Sequence, residues 1–194
     1  MDRQTVIEFF NKQALTWDEN SQHDPAKINT ILDYAEIGPN ISVLDVACGT
    51  GVLFPYYIER EVDAITGVDI SPAMIEQAKS KFDDARITLI CQPVEDAGLK
   101  NSFDRALVYS GFPHFPDPAL LIKTLAIALK PDGRLTIAHS QSREKIIARH
   151  EGKATNVSLP LPQAEELAAM LSPYFHADVV LSDNNMYVVS GLKV

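Results

Sequence analysis

Val43-Leu44-Asp45-Val46-Ala47-Cys48-Gly49-Thr50-Gly51 carries the strongest structural signal in the chain. A hydrophobic run carrying an acid passes through a turn with two glycines and enters a segment of helical length. This predicts a strand, a turn and a helix, with glycines where a ligand must approach the backbone. With no side chains at Gly49 and Gly51, the amino-acid end and ribose of a nucleoside ligand can lie against the peptide, and Asp45 can accept hydrogen bonds from an ammonium group. A dinucleotide turn would carry G-x-G-x-x-G and a phosphate loop would carry G-K followed by Ser or Thr. Residues 49–54 have neither the third glycine nor the lysine. The competing reading is an ordinary β-α turn whose glycines only ease packing.

Outward from this segment, short β-branched runs alternate with amphipathic stretches, the pattern of repeated β-α units and hence of a mainly parallel sheet covered on both faces. Strands are predicted at 41–46, 64–68, 87–91, 106–109, 134–139, 177–182 and 186–192, with helices at 51–59, 72–81, 118–129 and 162–171. Ser71-Pro72 and Asp117-Pro118 each supply an N-cap followed by proline at the first helical position. Lys130-Pro131-Asp132-Gly133 carries a turn signature, the proline presetting one dihedral and the glycine permitting a positive one. Asp183-Asn184-Asn185 separates the last two strands as a hairpin, which makes the tail antiparallel. In the first forty residues Val6, Phe9, Phe10, Ile28, Ile31 and Leu32 recur at helix spacing, predicting a helical cap. One domain over 1–194 is expected, with 1–40 the cap and 41–194 the core.

A second signal is Gly67-Val68-Asp69-Ile70-Ser71, where a carboxylate ends the next strand and can accept from both hydroxyls of a ribose. Alone, Asp69 reads equally as a helix-capping or surface acid; its place one β-α unit after the glycine turn favours the ligand.

Taken together, residues 43–51, 67–79, 101–117 and 129–139 resemble the class I, Rossmann-like S-adenosylmethionine (SAM)-dependent methyltransferases. The resemblance implies an α/β, doubly wound seven-stranded sheet in the order 3-2-1-4-5-7-6 with strand 7 antiparallel, agreeing with the hairpin. It implies SAM as cofactor and S-adenosylhomocysteine as product. Asp45, Ala47, Gly49 and Gly51 would surround the methionine part, Asp69 would hold the ribose, and Ile70 and Met74 would pack on the adenine. One departure falls at Gln92-Pro93-Val94-Glu95-Asp96, where many relatives place an aspartate that accepts from the adenine amine. Pro93 cannot do so; the Val94 backbone can still donate to the ring, and Glu95 or Asp96 is left as the acceptor.

Methyl transfer from a sulfonium is an in-line displacement, so a protein mainly holds donor and acceptor in near-attack geometry and, for a protonated acceptor, supplies a base. The segment 109–117 follows the fourth strand at the carboxyl edge, where open α/β sheets bind ligands. It offers Tyr109, Ser110, Phe112 and His114. Ser110 is assigned to the cofactor and Phe112 to the acceptor. Tyr109, His114 and His139 are the catalytic candidates, with His114 preferred as base because an imidazole titrates near working pH. A histidine bonded to a loop carbonyl is the alternative reading of His114. Arg143 and His150 either roof the acceptor pocket or belong to a solvated helix face. Similarity to the family implies that Trp17, His23 and Tyr34 close over the site, Trp17 and Tyr34 against the acceptor; plain packing accounts for Trp17 equally well.

With 17 Lys and Arg against 26 Asp and Glu, the formal net charge is −9 and no basic stretch forms a phosphate footprint, which argues against nucleic acid. The place after the fourth strand holds Ser110-Gly111-Phe112-Pro113 rather than the Asn/Asp-Pro-Pro-Tyr type of motif that base-amine methylation often uses. No apolar run approaches the roughly 20 residues of a membrane helix, the start lacks the layout of a signal peptide, and Cys48 and Cys91 have no disulfide or zinc spacing. A cytoplasmic, metal-independent enzyme acting on a small-molecule acceptor is therefore expected, as monomer or homodimer and without membrane attachment. The alternatives are a protein or nucleic-acid methyltransferase, or a non-catalytic SAM-binding module.

Overall fold

The computed structural model describes residues 1–21 and 23–194, with the backbone alone for residues 152 and 153. Strands β1 (Ser42–Val46), β2 (Ala64–Asp69), β3 (Ile87–Cys91), β4 (Phe103–Tyr109), β5 (Leu129–His139), β6 (Phe175–Ser182) and β7 (Tyr187–Lys193) join in one sheet. Its order is β3-β2-β1-β4-β5-β7-β6. All ladders are parallel except those of β7, which runs antiparallel to β5 and β6. Fold class and strand order are those expected.

Alternation along the strands divides the core into two layers. In β4, Ala106 and Val108 join one apolar cluster while Leu107 and Tyr109 join the other. The first cluster takes Leu121 and Leu125 of α6 (Pro118–Ala128) and Leu167 and Leu171 of α8 (Ala164–Leu171). Against the opposite face pack α3 (Pro25–Tyr34), α4 (Phe54–Glu59) and α5 (Pro72–Lys81). Ile28, Ile31 and Leu32 of α3 are fully buried there, so this helix belongs to the sheet's covering layer although it falls within the expected cap. At roughly 1.5–3 kcal/mol for each large apolar side chain buried, α3 is held by packing. What covers the ligand edge is α1 (Arg3–Gln13) and α2 (Trp17–Asn20), joined by a 3₁₀ turn at Ala14–Thr16.

The predicted N-caps form: the Ser71 hydroxyl accepts the Met74 N–H at 3.2 Å and Asp117 Oδ1 accepts the Leu120 N–H at 2.9 Å. Of the boundaries that differ from the sequence reading, three have a visible local cause. Helix α4 begins at Phe54, not 51, because the chain first makes turns in which the Gly51 N–H donates to Cys48 O (2.9 Å) and the Phe54 N–H to Gly51 O (3.1 Å). Helix α8 begins at Ala164, after a capping box between Gln163 and Glu166, which leaves Pro162 outside. The predicted turn at Lys130–Gly133 lies inside strand β5, where the register on β4 jumps from Phe103↔Leu129 to Arg105↔Arg134. The residue with positive φ in this bulge is Asp132 (61°), not Gly133. Gly133 is small for another reason: a Cβ there would lie 2.9 Å from the Lys130 carbonyl oxygen.

Helix α7 (Arg143–Lys153) follows β5, with the Ser142 hydroxyl accepting the Lys145 N–H. Among the described residues no helix is long and apolar enough to cross a membrane.

Candidate active site

The chain leads outward from β1 to β2 and β3 on one side and from β4 to β5 on the other, so the strand order reverses between β1 and β4. At such a switch point the two following loops diverge and leave a crevice at the carboxyl ends of the strands. Ala47 after β1 and Ser110 after β4 both take left-handed backbone, each with φ 57°, a conformation that an L side chain adopts at some energetic penalty and that clusters at ligand sites. The loops meet closely, since a Cβ on Gly111 would lie 2.8 Å from Ala47 Cβ.

A pocket fills this crevice. Its walls are residues 46–50, Asp69, Ile70, Met74, residues 92–95, the segment 109–111 with 114–116, and, from the cap, Arg3, Val6, Phe10, Trp17 and His23.

Its donor side is organised by Asp69. Oδ2 accepts the Gly49 N–H at 2.9 Å and Oδ1 accepts the Ser71 N–H at 2.8 Å, which ties the turn after β1 to the turn after β2. Each oxygen keeps lone-pair capacity for a further donor. Burial pushes the Asp69 carboxyl up to about 6, against the pull of the Ser71, Gly49 and Ile70 amides toward ionisation. Gly49 has φ +54°, and a Cβ there would meet no protein atom within 4 Å; in this pocket wall a side chain would occupy ligand space. Gly51 is different. A Cβ at φ +83° would come within 2.6 Å of the Phe54 ring and 2.8 Å of Phe82, and Gly51 is not on the pocket wall. Its smallness serves helix packing beside the site.

Asp45 also stands behind the wall rather than on it. It is 2% exposed and its Oδ2 has no partner among the described residues. Burial, then repulsion from Asp69, hold its carboxyl well above the ordinary range. Val94 and Glu95 reach the pocket as expected, but Glu95 faces Arg3 of the cap at 3.8 Å, and Arg3 also meets Asp96 at 3.4 Å. The cap is further tied down by Asn11 Oδ1, which accepts the Ser71 hydroxyl at 2.7 Å and the Ala73 N–H at 3.2 Å, and by Asp18, which accepts the Thr50 hydroxyl at 2.6 Å and pairs with Lys81 at 2.7 Å.

The other side of the pocket is aromatic and carries imidazoles. His114 Nδ1 lies 2.7 Å from the Val157 carbonyl oxygen. A carbonyl only accepts, so Nδ1 carries the proton and Nε2 is left as a lone-pair acceptor. His114 is thus anchored to a loop carbonyl and also lines the pocket. Burial brings its pKa down to about 4, with His150 and Arg149 pushing the same way against the Val157 bond. Tyr109 donates its hydroxyl to Ser140 Oγ at 2.7 Å and so accepts from His23 Nδ1 at 3.1 Å. Trp17 meets Phe10 edge-on at 5.6 Å, and Phe10 meets His114 at 4.9 Å.

Five further candidates lie off the pocket wall. His139 is 4% exposed behind the wall, its Nε2 unpartnered among the described residues. Tyr34 is 37% exposed and away from the pocket, on the part of α3 that faces solvent. Phe112 is core, packed in the cluster under α6. Arg143 Nε donates to the carbonyls of Leu161 (2.8 Å) and Pro162 (3.0 Å) and so fastens the loop before α8. His150 does not line the pocket but stands edge-on to His114 at 5.2 Å.

Sequence reading missed Arg3, Phe10 and Asn11. Phe10 was legible only as one apolar position of a helix, and Arg3 and Asn11 lie far in sequence from the strand ends they serve.

Residues 43–133 match the model of a family described as a methyltransferase domain. The chain is 30% identical over 141 residues to a malonyl-[acyl-carrier protein] O-methyltransferase of Acetivibrio thermocellus, covering 71% of this chain and 50% of that protein. It is 28% identical over 146 residues to a ubiquinone biosynthesis O-methyltransferase of Acinetobacter baylyi, covering 70% and 61%. The matched residues are those of a methyltransferase domain, and in sequence and fold the chain is similar to the class I SAM-dependent methyltransferases. It spans about half the length of the malonyl-[acyl-carrier protein] relatives it matches. In fold it is similar to magnesium protoporphyrin IX methyltransferase of Synechocystis, solved with bound S-adenosylhomocysteine, at TM-score 0.74 and 16% identity over 100% of both chains. A SAM-dependent methyltransferase from Aquifex aeolicus gives TM-score 0.72 and 16% identity, again over 100% of both. At such identity these two likenesses speak for the methyltransferase fold alone. Among the described residues, no group of three or more His, Cys, Asp and Glu side chains is arranged to hold a metal ion.

Proposed function

We propose that the chain transfers the methyl group of SAM to a small-molecule acceptor. The observation that carries this is the Gly49–Asp69 arrangement: a wall glycine whose Cβ direction is open, beside a carboxylate with lone pairs to spare. Asp69 would take the ribose hydroxyls, the Ala47–Gly49 turn the methionine part, and Ile70, Met74 and Val94 the adenine. Asp45, unpartnered at Oδ2, would act on the ammonium group at short range through the turn. Bound SAM would supply an electrophilic methyl on a sulfonium.

On the acceptor side, His114 Nε2 would take the acceptor's proton while the Val157 carbonyl keeps the ring oriented. Tyr109, held between Ser140 and His23, would fix the floor of the acceptor site, and Phe10, Trp17 and Phe115 would exclude water from it. Ser110 would border the donor through its left-handed backbone. An oxygen acceptor is favoured by the similarity to two groups of O-methyltransferases. In this proposal residues 1–40 and 41–194 act as one methyltransferase domain, cytoplasmic and without a metal, as monomer or homodimer, with no nucleic-acid substrate.

Turnover tests it: purified protein incubated with SAM and a panel of phenols, carboxylic acids, thiols and amines should release S-adenosylhomocysteine with at least one class. Tight S-adenosylhomocysteine binding with no turnover over the panel would favour the non-catalytic module instead.

A further inference from the structure

The chain carries net charge −9, yet four of its five histidines, His23, His114, His139 and His150, gather on the acceptor side of one pocket. His114 and His150 stand 5.2 Å apart between ring centroids, and His114 also packs on Phe10 at 4.9 Å. Behind them His139, 4% exposed, ends β5 with an unpartnered Nε2. Arg149 on α7 is exposed and makes no ion pair among the described residues, yet it acts electrostatically on His23, His114 and His150. Among the charges that shift these imidazoles, the one carboxylate is Asp18, which acts on His23. Of the two acids on the pocket wall, Glu95 is opposed by Arg3, and Asp69 is engaged by the Gly49 and Ser71 amides.

A set of cationisable side chains in which His114, His139 and His150 are shifted by no carboxylate is an unusual outcome for an acidic protein. Each imidazole is kept neutral by burial and by its cationic neighbours, and one introduced anion reverses both effects at once. We propose that the acceptor carries a carboxylate, seated among His114, His150 and Arg149, with the aromatic walls around Phe10 and Trp17 taking its apolar body. This rests on the methyl-transfer reading only in naming the ligand as the acceptor. The bound carboxylate lifts the His114 imidazole back toward its ordinary range, so the acceptor itself improves the base that deprotonates it.

The test uses the whole chain saturated with S-adenosylhomocysteine, with phenylacetate and its neutral isostere phenylacetamide as probes. Binding is followed by calorimetry and by ¹⁵N resonances of the imidazoles. At pH 6.5 the acid should bind roughly tenfold more tightly than the amide, with proton uptake at His150 and Nε2 of His114 left free to act as base. The double variant Arg149→Ala, His150→Asn should abolish this preference, and His176→Ala, an exposed site on β6, should leave it intact. Equal binding of acid and amide, binding of neither, or an unchanged preference in the double variant overturns the proposal. Failure of S-adenosylhomocysteine to bind overturns the donor assignment instead, and the acid–amide comparison is then read without it.

Discussion

Oδ2 of Asp69 accepts the backbone N–H of Gly49 at 2.9 Å. The carboxylate at the end of β2 therefore shapes the turn after β1, and the same side chain lines the pocket between the two turns. Because burial raises this carboxyl to about 6, the apo protein holds an extra proton here relative to the unfolded chain between about 4 and 6. The stabilisation from that proton is full below about 4 and lost as pH rises through 6. Ribose recognition needs the ionised form, so S-adenosylhomocysteine affinity should fall by about tenfold per pH unit below 6. Calorimetry between pH 5 and 8 reads this, and a flat profile would contradict it.

The two turn glycines should separate in their effects. Gly51→Ala drives a Cβ into Phe54 and Phe82 at positive φ, and denaturant melts should report a loss of about 2–4 kcal/mol. Gly49→Ala meets no protein atom and should lose only about 1–2 kcal/mol, yet it should weaken S-adenosylhomocysteine binding in proportion far more. Equal behaviour of the two variants would show that neither glycine faces the ligand.

His114→Asn keeps a donor for the Val157 carbonyl and removes the imidazole. With a proton-bearing acceptor, kcat should fall by roughly 10²–10⁴ while S-adenosylhomocysteine affinity stays as it was. Undiminished kcat would assign His114 a structural part only.

Asn11 joins the cap to the start of α5 through the Ser71 hydroxyl and the Ala73 amide. Asn11→Ala should lower stability by about 1–2 kcal/mol, seen as a Tm drop of roughly 2–8 °C, and should speed ligand dissociation in stopped-flow. A Tm loss with unchanged dissociation would limit α1 to a structural role.

The sheet was legible because each strand is a short β-branched run and most crossovers are helical, a periodicity that depends only on local sequence. Boundaries failed where tertiary packing decides: Lys130–Gly133 has turn chemistry, but β4 and β7 on either side hold it in the strand as a bulge. Within the site, residues next to strand ends were found, since the fold brings those ends to one edge. Phe112 and Tyr34 could not be told from pocket residues, because an aromatic near a ligand loop packs inward or outward according to helices far along the chain. For the same reason α3, whose apolar spacing suits a cap, lies in the layer under the sheet, and Asn11, an unremarkable helix residue, spans sixty positions to reach Ser71.

The central claim is that the Gly49–Asp69 cleft holds the methyl donor, and titration of S-adenosylhomocysteine into wild-type chain and Asp69→Asn tests it most directly. One site on the wild type, with affinity lowered at least roughly tenfold in the variant and the variant's circular dichroism unchanged, is the predicted result. No binding to the wild type, or equal binding to both proteins, would contradict it.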